Sequence, residues 1–120
     1  MIVNDEREFN RAAVAKLHQL GGSEFVRRMI DMFFDYAPKR LAAAQTALQA
    51  GDLPGVEKSV HPLKSSAGQL GAVRIQELAA QIEKMAMERR VEALPALLAE
   101  LDASLAGIRP LLEQERKVYE

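Results

Sequence analysis

The chain has 120 residues, of which 48% are hydrophobic, a size that suits one compact domain over residues 1–120 with its core over about 9–112. A formal net charge of −1 with scattered Lys and Arg argues against nucleic acid and against an anionic membrane as partners. The sequence contains no cysteine and opens with neither a secretion signal nor an apolar run, so we expect a cytoplasmic protein and a monomer.

Apolar residues recur at helical spacing along the whole chain, and no segment has the pattern of a strand. Phe9, Asn10 and Val14 fit a capped helix start with a hydrophobic staple. This first helix should be short and end at Gly21-Gly22. Ser23 should then cap a second helix.

Proline and glycine delimit the remaining helices. Pro38 should kink the second helix or restart it, and Gly51-Asp52-Leu53-Pro54 combines a terminal glycine, an Asp cap and a first-turn proline, which indicates a turn before a third helix. Two further apolar stripes are separated by a break near Arg89-Arg90. Short loops between long amphipathic helices predict an all-α fold, an up-down-up-down four-helix bundle with a short extra N-terminal helix.

The third helix carries a histidine, His61, on a face of small residues. At about 100° per residue, that face also carries Lys64, Ser65, Gly68 and Ala72, whereas the neighbouring apolar residues turn to the other side. We therefore expect His61 to face solvent beside a cation. An imidazole is nucleophilic near neutral pH and accepts a phosphoryl group reversibly. A lysine one turn away stabilises the phosphate, and Ser65 could donate another hydrogen bond to it.

This segment resembles the signature of histidine phosphotransfer (HPt) domains, H-x-L-K-G-S-x-x-x-[LIV]-G-A. The matching positions are His61, Leu63, Lys64, Ser66, Leu70, Gly71 and Ala72. The resemblance extends over roughly residues 9–112, because the glycine pair, the proline, Gly51-Asp52 and a helix with Leu78 to Glu83 follow in the family's order. Two positions depart from the pattern. Ser65 stands where glycine is common, and Pro62 should kink the helix unless Ser59 caps a fresh turn.

The resemblance implies a role for each site residue. His61 would be the phosphoacceptor and Lys64 would stabilise the phosphate, while Glu83 on the next helix would orient the imidazole ring. A receiver domain would dock on the small-residue face of Ser65, Gly68 and Ala72. Gly68 costs its helix about 1 kcal/mol relative to alanine, a cost that a close approach of the partner would explain.

The implied function is a phosphocarrier that relays a phosphoryl group between receiver-domain aspartates, one in a hybrid sensor histidine kinase and one in a response regulator. The sequence has no glycine-rich nucleotide loop, so we expect neither autokinase activity nor a cofactor. The alternative is a helical adaptor that binds receivers without carrying phosphate. A sensor-kinase dimerisation region normally has an acidic residue after its histidine, and Pro62 argues against that class.

Other potential ligands have simpler interpretations. His18 lies among Val14, Leu17 and Leu20, which indicates a structural or incidental role. The chain lacks an H-E-x-x-H pattern, so we expect no metal site.

Overall fold

The computed structural model describes residues 8–120 and consists there of helices without a strand. Four α-helices follow in chain order: α1 (Arg11–Gln49), α2 (Leu53–Gln69), α3 (Val73–Met87) and α4 (Leu94–Val118), with a short 3-10 helix (Val91–Ala93) before α4. Each helix packs on its chain neighbour, and α4 closes the ring by packing on α1. The predicted up-down-up-down four-helix bundle is confirmed.

Every helix buries one apolar stripe in the centre of the bundle. Large side chains that are fully buried come from all four helices: Ile30, Leu63, Leu70, Ile75, Leu78, Ile82, Leu94, Leu101 and Leu112. Each contributes about 1.5–3 kcal/mol by leaving water. Leu63 and Ala67 anchor α2 to this core, so the opposite side of α2 faces outward. Within residues 8–120, no helix is both long enough and apolar enough to span a bilayer.

The predicted first and second helices form two arms of α1. Asn10 caps the first arm, since its Oδ1 accepts a hydrogen bond from the amide of Ala12 at 3.1 Å. Gly22 interrupts the helix with φ +86° and ψ −178°. The break predicted at the glycine pair is therefore confirmed as a kink, and the short N-terminal helix continues into the long arm without a loop.

Neither Pro38 nor Pro62 ends its helix. Helical dihedrals persist through Pro38, so the predicted restart there is wrong. The ring is exposed, and solvent can satisfy the carbonyl that loses its amide partner. Ser59 lies inside α2 and donates from Oγ to the carbonyl of Gly55 at 2.7 Å. A fresh turn capped by Ser59 is therefore also wrong, and α2 runs unbroken past Pro62.

Gly71 joins the end of α2 to the N-terminal arm of α1. Its φ of +76° lies in the left-handed region that disfavours side chains. Its carbonyl accepts a hydrogen bond from the Asn10 amide at 2.7 Å, and a Cβ atom at this position would lie 2.1 Å from the Asn10 carbonyl oxygen. Glycine is thus required here both by conformation and by space.

Gly51 provides a matched control for this steric argument. Its φ is +71°, yet a Cβ atom there would meet nothing within 4 Å. We expect Gly51→Ala to lower the free energy of unfolding by about 1–2 kcal/mol, the cost of a left-handed alanine. Gly71→Ala should cost about 3 kcal/mol or more, because it also displaces the Asn10 backbone and breaks its hydrogen bond. Urea unfolding measures both, and equal losses would contradict the account.

Candidate functional site

His61 lies in the middle of α2 and points away from the core. Its side chain is 65% exposed, whereas Val60 and Leu63 on the same helix are fully buried. These buried neighbours fix the rotation of α2 and so present the imidazole to solvent. The exposure expected from the helical pattern is observed.

Glu83 of α3 bridges His61 and Lys64. Its Oε2 contacts Nδ1 of His61, and its Oε1 accepts a hydrogen bond from Nζ of Lys64 at 2.6 Å. The Glu83 side chain is only 12% exposed, whereas that of Lys64 is 37% exposed. The structure therefore brings together the three residues that the sequence placed on two different helices.

The electrostatics of this triad determine the state of the carboxylate. The hydrogen bond from Lys64 is the largest cause that lowers the pKa of Glu83, and the hydrogen bond from His61 and the charges of both partners act in the same direction against partial burial. Glu83 is therefore ionised near neutral pH. An ionised carboxylate only accepts hydrogen bonds, so Nδ1 of His61 carries the hydrogen between them.

The other imidazole nitrogen then has a free lone pair. In a neutral ring with hydrogen on Nδ1, Nε2 is unprotonated and can act as a nucleophile. If Nε2 forms a bond to an electrophile, the ring becomes positively charged. The Glu83 carboxylate is in contact with Nδ1 and offsets that charge. The arrangement thus suits an exposed nucleophile that receives a group from a large partner.

The face of α2 that is predicted for docking is exposed only in part. Ser65 is exposed and Gly68 is half-buried, but Ala72 is fully buried. The reason is that α2 ends at Gln69, so the helical spacing that placed Ala72 on the face of His61 does not extend to it. Ala72 instead occupies the N-cap position of α3, and its inclusion in the docking face is wrong.

Gly68 has a different neighbour from the one expected. The side chain of Gln76 on α3 lies over it, and a Cβ atom at Gly68 would be 2.5 Å from Nε2 of that glutamine. The same Nε2 donates to the backbone carbonyl of Lys64 at 3.2 Å. The missing side chain therefore makes room for a link between α3 and α2. No sequence pattern pointed to Gln76.

An apolar rim on α1 borders the exposed small residues of α2. Leu20 and Met29 line a groove together with Ser65, Gly68 and Gln69, and Leu20 is 74% exposed. The sequence pattern did not predict this rim. The signal in the sequence was Leu20, an apolar residue directly before the glycine pair at which the helix is interrupted.

The second histidine is not part of this site. His18 is exposed, and its ring centroid lies 4.8 Å from that of Tyr119 near the C-terminus. Among residues 8–120, no three His, Cys, Asp or Glu side chains are grouped as metal ligands.

Comparison with known proteins gives one family and two similar structures. The Hpt domain family matches residues 28–110. The fold is similar to that of histidine-containing phosphotransfer protein B (HptB) from Pseudomonas aeruginosa PAO1, with a TM-score of 0.87 and 26% identity over 94% of this chain and 97% of that one.

The second structure is the HPT domain of the Hpt sensor hybrid histidine kinase from Shewanella, which has the same fold with a TM-score of 0.70 and 24% identity over 92% of this chain and 94% of that one. A search of curated proteins gave no match. Because the family match spans well over half of the sequence, from the long arm of α1 to α4, the chain belongs to the Hpt domain family.

Proposed function

We propose that this protein is a histidine phosphotransfer protein that relays a phosphoryl group between receiver-domain aspartates in a multistep two-component phosphorelay. Membership of the Hpt domain family supports this role. The observation that carries it is the contact of Glu83 with Nδ1 of the exposed His61, which places the hydrogen of the neutral ring on Nδ1 and leaves the Nε2 lone pair for a partner.

The transfer step needs no external base. Nε2 of His61 attacks the phosphorus of a receiver's aspartyl phosphate, the Nε2–P bond forms, and the aspartate oxygen leaves with the electrons of the P–O bond. Nε2 has no proton to lose, and the proton on Nδ1 stays there. The ring gains a positive charge, which the Glu83 carboxylate stabilises. The reverse step on a second receiver restores the neutral imidazole.

Lys64 acts in this step in two ways. Its ammonium holds the Glu83 carboxylate at 2.6 Å and so keeps it ionised and oriented. It also places a positive charge one helical turn from the phosphoryl group, which lowers the energy of the negatively charged transition state. The protein itself is a phosphocarrier and has no autokinase activity in this proposal.

The proposed partners are receiver domains of a hybrid sensor histidine kinase and of a response regulator. One of the similar structures is itself part of a hybrid histidine kinase. The absence of cysteine from the sequence fits a carrier in the reducing cytoplasm. We propose that it acts there as a monomer.

The proposed receiver contact is the surface of Ser65 and Gly68 with the apolar rim of Leu20 and Met29. Reacting atoms must approach to about 3–3.5 Å before transfer, so the side chains beside His61 must be small enough not to block the receiver. Ser65 satisfies this because it is small and exposed. The apolar rim supplies area that a receiver can bury.

One prediction from this function concerns the acceptor residue. Incubation with a phosphorylated cognate receiver should place on the chain a phosphate that is labile in acid and stable in alkali. His61→Gln should abolish this labelling, because glutamine has no nucleophilic ring nitrogen. His18→Gln is the matched control and should be labelled at the wild-type rate. Persistent labelling of His61→Gln would overturn the assignment.

Another prediction concerns the docking surface. Ser65→Gln adds bulk at an exposed helical position without lowering helix propensity, so the fold should persist while affinity for the receiver falls by about tenfold or more. Ser65 is a cleaner site than Gly68, where a new side chain would displace Gln76.

Ala103→Gln is the control for Ser65→Gln, because Ala103 is exposed on α4. It should bind the receiver as the wild type does. Titration calorimetry with the unphosphorylated receiver gives both affinities. Wild-type affinity for a folded Ser65→Gln variant would show that the docking surface lies elsewhere.

A further inference from the structure

The two nitrogens of His61 point in different directions. Nδ1 and Nε2 are separated by one ring carbon and direct their hydrogen bonds away from each other, and Nδ1 contacts Glu83 on α3. Nε2 therefore emerges on the side of α2 that faces away from Glu83. A phosphoryl group on Nε2 would lie on that side.

Helical geometry divides the charged neighbours of His61 between these two sides. Viewed along the axis of α2, at 3.6 residues per turn, Lys64 is rotated about 60° from His61 in one direction and Lys58 about 60° in the other. Lys64 is on the side of Glu83, since the two are hydrogen-bonded. Lys58 is therefore on the side where Nε2 emerges. Ser65 shares that side, whereas Glu57 lies on the side of Glu83.

The surroundings of Lys58 leave its ammonium available. Lys58 is exposed and lines an open depression beside His61, whose other lining residues are Pro54, Glu57, Pro62 and Glu83. In the part of the chain that the structure describes, Lys58 is absent from the ion pairs, whereas Lys64 is bound to Glu83. Among the described residues, its ammonium is thus not paired with a carboxylate.

We propose that Lys58 is a second cation of the site and binds the phosphoryl group on Nε2 of His61. The proposal rests on the proposed function in that it takes His61 as the acceptor. The two lysines then have different roles. Lys64 acts largely through Glu83, and Lys58 contacts the transferred group directly.

In the test, His61 is phosphorylated chemically, without a receiver domain. Phosphoramidate transfers its phosphoryl group to Nε2, with formation of the N–P bond and departure of ammonia with the electrons of the old P–N bond. In a His18→Gln background, His61 is the one histidine left in the sequence. The ³¹P chemical shift followed against pH then gives the pKa of the phosphoryl oxygen, which a nearby cation lowers.

Lys58→Gln should raise this pKa by roughly 0.2–0.7 units, the range of an exposed ion pair. Lys58→Arg should keep the wild-type value because it retains the charge. The shift should shrink in 1 M salt, where exposed charges more than about 3 Å apart are largely screened. Lys117→Gln, at an exposed position of α4, controls for the change in net charge and should leave the pKa unchanged.

Three results would overturn the role of Lys58. One is an unchanged phosphoryl pKa in Lys58→Gln, another is an equal rise in Lys117→Gln, and the third is a rise confined to Lys64→Gln. The loading reaction does not involve a receiver. Failure of a receiver to phosphorylate His61 would therefore count against the proposed function, while the titration would still decide the role of Lys58.

Discussion

The site depends on one interaction, the bridge that the Glu83 carboxylate makes between Nδ1 of His61 and Nζ of Lys64. One carboxylate performs two tasks because each of its oxygens has a different partner. Lys64 keeps it ionised, as the lowered pKa of Glu83 indicates, and the ionised group in turn fixes the hydrogen on Nδ1. The nucleophilic state of His61 is therefore set from a neighbouring helix, while the imidazole itself remains open to solvent.

The bundle makes this bridge possible by holding α2 in register with both of its neighbours. Arg40 of α1 donates from Nε to the carbonyl of Ser59 at 2.9 Å, in the turn before Pro62. On the other side of α2, Gln76 of α3 binds the carbonyl of Lys64. Side chains from two helices thus hold the α2 backbone on either side of His61. This matters because Pro62 cannot donate the backbone hydrogen bond that would otherwise stabilise that segment.

Much of this arrangement follows from the sequence, and the exceptions have physical causes. Helical periodicity placed His61 outward because α2 is regular there, and the same rule failed for Ala72 because the helix ends first. The partner of Lys64 could not be derived from spacing within α2, since Glu83 reaches it across a helix interface. Gly68 was interpreted as space for a partner, whereas Gln76 fills part of that space. Local pattern specifies the face of a helix, and only packing specifies what lies against it.

The most direct test of this account is the tautomer of His61 in the unphosphorylated protein. ¹⁵N NMR of the neutral imidazole distinguishes hydrogen on Nδ1 from hydrogen on Nε2. The account predicts the Nδ1–H form in the wild type and a shift of the population towards Nε2–H in Glu83→Ala. Hydrogen on Nε2 in the wild type, or a tautomer unaffected by Glu83→Ala, would contradict it.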